Sequence, residues 1–129
     1  MTNNNETIIQ HMEQFSNVRV LVIGDIMLDK FIWGDVTRVS PEAPVPVVHV
    51  KNETCAPGGA ANAAMNVAAL GATCFLVGLT GDDASRDILI TLLRSKNINT
   101  EGLIIHDHQT IQKVRVMGNQ HQLVRYDYE

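Results

Sequence analysis

At 129 residues the chain is long enough for one domain around one core. Its 45% apolar and 19% charged residues describe a folding sequence and not a disordered one. A net charge of −4 excludes the basic footprint of a nucleic-acid binder, yet a few local cations can still hold a small anion. No apolar run approaches the ~18 residues that span a bilayer, so no membrane partner is expected. The polar, acidic start MTNNNETIIQHMEQF lacks the pattern of a secretory signal. Cys55 and Cys74 stand apart with no CxxC pair, and read as reduced thiols of a cytoplasmic protein.

Residues 6–15 predict a helix with Ile8, Met12 and Phe15 on one face and Asn5 as its cap. Val18 to Ile23 is a continuous apolar, β-branched run that reads as a buried parallel strand ended by Gly24. From Leu28 to Val39 the alternation is loose: a strand, a turn at Gly34-Asp35, then strand or loop. The prolines of Ser40 to Pro46 exclude helix interior and central strand, and Val45 to Val50 resumes a strand. Gly58-Gly59 opens an Ala-rich helix over 60–70, with Gly71 as its C′ residue. Thr73 to Leu79 is a second buried strand. Asp82 is placed to cap a helix to about Ser95 with an apolar stripe of Ile88, Leu89, Leu92 and Leu93. Leu103 to Ile105 is a third core strand. Thr110–Met117 and Gln122–Tyr128 flank a turn at Gly118-Asn119. Repeated strand–helix alternation predicts an α/β protein with a mainly parallel sheet. The stretches 28–50 and 110–128 do not fit that sheet and are expected to form a small one of their own.

In open α/β sheets, ligands bind beyond the carboxyl ends of the strands. Asp25 and Asp29 follow the first strand, where carboxylates can accept hydrogen bonds from sugar hydroxyls; capping a turn is the plain alternative for Asp25. Gly58 and Gly59 let the backbone approach a ligand without a Cβ between, or simply allow a tight strand–helix turn. The helix start they open favours oxygen-rich ligands, and Asn62 in its first turn can donate and accept at a hydroxyl pair. His106 and His108 form an HxH pair, but no third metal ligand stands in register, so no metal site is expected.

The combination Gly58-Gly59-Ala60-x-Asn62-x-Ala64, then Gly71 and Gly81, resembles the first signature of the ribokinase-type (PfkB) carbohydrate kinases. Gly24-Asp25-x-x-x-Asp29 resembles the sugar-binding start of that family. Arg38-Val-Ser-Pro-Glu-Ala-Pro-Val-Pro-Val47 and Asn119-Gln120-x-Gln122-Leu123-x-Arg125 are similar to its D-glycero-β-D-manno-heptose 7-phosphate kinase branch, which serves lipopolysaccharide synthesis. The resemblance covers residues 15–129. It implies the N-terminal part of one ribokinase-like α/β/α sandwich with a small β-sheet lid, strands about 28–50 and 110–128. It implies a sugar phosphate as substrate, phosphorylated on its anomeric hydroxyl with ATP and Mg²⁺. In that setting Lys113 and Arg115, on one face of a strand, are candidates for the substrate phosphate, with Arg38, Asn119 and Arg125 as further lid or phosphate contacts. Gly118 departs from the arginine expected before Asn-Gln. Lids of the family can meet as a homodimer, through Trp33, Val36, Val45 and Val47 here.

The catalytic base of the family lies in a Gly-Ala-Gly-Asp motif, and neither it nor a GxxxxGK[ST] loop occurs within 1–129. The nucleotide-binding part and every catalytic residue are therefore expected outside this chain, which by itself should be inactive and should self-associate through uncovered apolar surface. Three other readings compete. A dinucleotide-binding module would share the VLVIG strand but needs a G-x-G-x-x-G turn that GDIMLD lacks. A kinase for another sugar phosphate, or a non-catalytic sugar-binding or dimerisation fragment, would share every motif above.

Overall fold

The apolar runs pair as parallel strands, and the two well-patterned helices pack against one face of them. The computed structural model of the protein describes residues 4–129, with side chains from Ile8 onward. Strand β1 (Arg19–Ile23) lies parallel to β4 (Thr73–Thr80), which lies parallel to β5 (Asn99–Ile105), in the order β1-β4-β5. Helices α2 (Ala60–Ala69) and α3 (Ala84–Arg94) cover this sheet from one side. The core joins Ala61 and Ala64 of α2, Leu89 and Leu93 of α3, and Cys74, Leu76 and Leu103 of the sheet. Burying each of the larger aliphatic side chains contributes about 1.5–3 kcal/mol.

Among the described residues, none of the helices packs over the opposite face. Leu21 pairs with Phe75, Ile23 with Val77 and Leu79 with Ile104, so these residues share that side. Leu21, Ile23, Leu79 and Ile104 are all more than half exposed. The expectation that β1 is buried on both sides therefore fails: its alternate residues are exposed, because only one helical layer covers the sheet. Helix α1 (Asn4–Glu13), ending in a 3-10 turn over Gln14–Asn17, likewise leaves Ile8 and Met12 exposed. The proposed Asn5 cap lies outside the described side chains.

A second sheet has the order β3-β2-β6-β7, from β2 (Ile26–Val39), β3 (Pro46–Gly59), β6 (Ile111–Gly118) and β7 (His121–Tyr128). This is the small sheet expected from the two stretches that did not fit, although its strands run longer. No turn forms at Gly34-Asp35. The strand β2 continues through a register shift at Trp33/Gly34, where a Cβ on Gly34 would lie 2.5 Å from the His49 carbonyl oxygen. β3 runs on to Gly59 through the polar stretch Lys51–Thr54, which carries no alternating pattern.

Two end signals shift by one residue. Asp83, not Asp82, caps α3, its Oδ1 accepting from the Arg86 backbone N–H at 2.9 Å. The β6–β7 turn is Asn119-Gln120, both with positive φ, rather than Gly118-Asn119. Gly71, with φ +94°, ends α2 as expected: its N–H bonds the Ala68 carbonyl.

Candidate functional site

The first strand delivers Gly24 and Asp25 to the carboxyl edge of the core sheet, and the chain turns at once into β2. β2 pairs antiparallel with β3, which brings Met27 opposite Gly58 and Ile26 opposite Gly59. This register carries the entrance of α2 onto the loop after β1. The Ala60 N–H donates to the Asp25 carbonyl at 2.8 Å. A Cβ on Gly58 would sit 2.7 Å from Asp29 Oδ2, and one on Gly59 would meet the Asp25 carbonyl oxygen. Gly59 also has φ +57°, so both space and backbone demand glycine there. Asp25, Asp29, Gly58 and Gly59 are thus gathered at one place. Asn62 lies two positions past Ala60 in the first turn of α2, with an exposed side chain.

The lid sheet lines this place with charge. Asp29 stands beside Lys113 and Phe31 beside Arg115 in the parallel β2–β6 ladder, and Arg125 and Asp127 face Arg115 and Lys113 from β7. Arg115 donates to Asp29 Oδ1 at 2.6 Å, and its guanidinium lies 5.2 Å from the centroid of the Phe31 ring. Lys113 donates to Asp127 Oδ2 at 2.9 Å and to Glu129 Oε1 at 3.4 Å. Arg125 donates to Asp127 Oδ1 at 3.1 Å. Three cations therefore face three carboxylates. The hydrogen bond it donates to Asp127, with a second to Glu129, raises the Lys113 ammonium above its ordinary value. The same bond lowers the Asp127 carboxyl.

Other expected contacts have different partners. Asn119 is spent on structure: its Oδ1 accepts from the Val36 N–H and its Nδ2 donates to the Val36 carbonyl, each at 3.1 Å. It ties the hairpin to the irregularity in β2, where the parallel ladder has run out. Arg38 is exposed near the far end of β2, pairing with Val47 and remote in register from Asp29. Gly118 is buried, and a Cβ there would lie 2.6 Å from both Val36 Cγ2 and Leu123 Cδ1, so a side chain at this position would require those two to shift. Asp127 and Glu129 were missed by sequence reasoning. The alternation of β7 alone marks them no differently from other polar residues, and only the β6–β7 register sets them against Lys113.

A cavity of about 630 Å³ opens at the carboxyl ends of β1, β4 and β5. It takes in Asp25, Thr80 and His106 but not Asp29, Gly58, Asn62, Lys113 or Arg115. The hydrogen bond of Arg115 to Asp29 and the nearness of Gly58 to that carboxylate, rather than the cavity, define the candidate sugar site. Among the described residues no group of three metal-capable side chains suits Mg²⁺. Among the described residues the one metal-capable cluster is His106, Asp107 and His108, whose imidazoles do not suit a hard, oxygen-seeking ion. Among the described residues no helix is long and apolar enough to cross a membrane.

A helix-backed parallel sheet with a second sheet standing over its carboxyl edge is the architecture of the ribokinase-like sugar kinases. The structure superposes on a carbohydrate kinase from Agrobacterium tumefaciens with a TM-score of 0.69 at 18% identity, covering 85% of this chain and 35% of that one. For a ribokinase from Thermotoga maritima the TM-score is 0.63 at 23% identity, covering 86% and 36%. At such identities the match establishes the fold. The family described as pfkB family carbohydrate kinase matches residues 17–128, and the chain belongs to it. Among curated proteins it is similar to the bifunctional protein HldE of Coxiella burnetii, 50% identical over 115 residues, which cover 89% of this chain and 24% of that protein. The HldE of Klebsiella pneumoniae is 48% identical over 118 residues, covering 92% and 25%. The chain thus spans about a quarter of the length of the curated relatives it matches.

Proposed function

We propose that this chain is the sugar-binding part of an ATP-dependent carbohydrate kinase acting on D-glycero-D-manno-heptose 7-phosphate in the cytoplasm. Asp29 and Asp25 accept hydrogen bonds from the sugar hydroxyls. The amino end of α2, with Gly58, Gly59 and Asn62, closes the pocket from the other side. The lid cations Lys113 and Arg115 receive the substrate phosphate, with Arg125 beside them. The observation that supports this reading is the packing of the Asp29 carboxylate over Gly58, its Oδ2 only 2.7 Å from where a Cβ on that residue would lie, which brings two separate sequence motifs side by side.

Binding of a phosphate at the lid has a definite chemical consequence. Lys113 and Arg125 both hold Asp127, and Arg115 holds Asp29. An incoming phosphate exchanges one of these carboxylates for its own oxygens, which offer the same acceptor geometry with more charge. Phosphoryl transfer itself requires a base and a nucleotide site, and no residue of this chain is assigned to either role. The same reading includes a homodimer formed through the lid, where Val45 is exposed and Val36 and Val47 are half-buried.

Calorimetry of the chain with heptose 7-phosphate tests the assignment. Binding should weaken about tenfold or more in Asp29→Ala, the loss expected when a charged acceptor leaves a hydroxyl unpaired. Unchanged affinity would remove Asp29 from the site. Incubating the chain with ATP and heptose 7-phosphate should give no sugar product above blank.

A further inference from the structure

We infer that the loop between β5 and β6 is a binding site for one divalent transition ion of the imidazole-preferring kind, such as Zn²⁺ or Ni²⁺, held by His106, Asp107 and His108. His106, Asp107 and His108 are consecutive in the sequence, and the loop conformation turns a ligand atom of each toward the others. One ligand atom from each of the three residues lies within 4.8 Å of the others. His106 Nδ1 is 2.8 Å from Asp107 Oδ1, and the two imidazole rings stand 4.8 Å apart between centroids, tilted by 32°. Ligand atoms of a tetrahedral ion lie about 3.4 Å apart for bonds of about 2.1 Å. Small side-chain rotations therefore suffice to reach that spacing.

The backbone beneath these side chains is already fixed. His106 N–H donates to the Thr80 carbonyl at 2.8 Å. At the other end, Thr110 N–H donates to Asp83 Oδ2 at 2.7 Å, and the Thr110 hydroxyl accepts from the Gly81 N–H at 2.9 Å. Both ends of the loop are thus tied to the β4–α3 turn, so little chain entropy is lost when an ion binds. Asp82 lines the same hollow, of about 480 Å³, through which water can reach an ion. Both oxygens of Asp83 are held by backbone N–H groups.

Charge and exposure agree with this. All three ligand residues are exposed, so no charge must be buried without compensation. His106 Nδ1 also accepts from the His108 backbone N–H at 3.4 Å, a long contact that an ion on that nitrogen would replace. Two nitrogen donors with a carboxylate select Zn²⁺, Ni²⁺ or Cu²⁺ over Mg²⁺ or Ca²⁺. His106 and His108 also line the cavity that contains Asp25 and the buried, unpartnered hydroxyl of Thr80. A bound ion would therefore place positive charge at the rim of that cavity.

Titration calorimetry of the chain with Zn²⁺, in a buffer that does not bind metals, is the test. One ion per chain at micromolar affinity is expected, with no heat from Mg²⁺ at the same concentration. The double variant His106→Ala/His108→Ala should lose at least about tenfold in affinity, and Asp107→Asn should lose less. The control His49→Ala/His121→Ala should bind as the parent does. Because the altered side chains are exposed, far-ultraviolet circular dichroism should match the parent for every variant. Undiminished Zn²⁺ binding in the His106/His108 variant, loss of binding in the control, or equal binding of Mg²⁺ would each overturn the assignment.

Discussion

The two sheets of this protein are held together by different physics. The core sheet β1-β4-β5 relies on apolar contact: Leu76, Leu89 and Leu93 are at most 1% exposed, and α2 and α3 seal one face. The lid sheet has few fully buried side chains, mainly Ile26, Leu28 and Val114. Its inner face is a ladder of ion pairs, Asp29–Arg115, Lys113–Asp127 and Arg125–Asp127. Aliphatic contact is indifferent to ligand and gives a fixed platform. A face of exchangeable ion pairs instead keeps charged groups at hand for a ligand that can replace one member.

The contrast predicts graded effects. Leu89→Ala in α3 should cost about 2–5 kcal/mol in chemical denaturation, because the cavity lies in the sealed core; a comparable cost for Trp33→Ala, a lid residue 38% exposed, would erase the distinction.

Asp83→Ala should cost about 1–3 kcal/mol, since the side chain caps α3 and holds the Thr110 N–H. Its loss should also flatten the acid limb of stability. Burial alone would push the Asp83 carboxyl up, but hydrogen bonds from the backbone of Thr110, Arg86 and Ser85 and from the Thr110 hydroxyl outweigh it and hold the group below its usual value. A depressed carboxyl contributes stability above its unfolded value and loses it as pH falls through the folded one. The difference between the parent and Asp83→Ala should therefore shrink as pH drops below about 4, read as urea midpoints from pH 6 to 2.5.

The exposed face of the core sheet should drive self-association of the isolated chain. Ile23→Lys, at a position 69% exposed, should weaken that association about tenfold in sedimentation, in line with the loss of one aliphatic contact. The smallest effect belongs to the lid: Asp127→Asn should raise the affinity for inorganic phosphate about two- to fivefold, the scale of one exposed ion pair. A fall in affinity would mean that Asp127 organises the cations and does not compete for them.

How much of this was legible depends on which physics built each part. β4, α2 and α3 follow from continuous apolar runs, Gly58-Gly59, Gly71 and the leucine stripe, and they appear close to where the pattern puts them. Ile88 is the exception in that stripe, at 41% exposed, because α3 turns Ser85, Leu89 and Leu93 inward instead. β3 beyond Val50 was not legible, since Lys51–Thr54 is polar on both faces and forms strand only because β2 lies beside it. Gly34 looked like a turn because glycine marks turns and strand irregularities alike.

The sequence by itself determined the helix-backed parallel core and the glycine-rich entrance of α2, because burial periodicity and left-handed backbone are local demands. Only the tertiary structure decided that β6 lies parallel to β2, that Asp127 holds Lys113, that Asn119 bonds Val36, and that His106, Asp107 and His108 converge on a pinned loop. Those facts depend on which strands become neighbours and in what register, and a polar residue reads the same in sequence whichever partner the fold sets beside it.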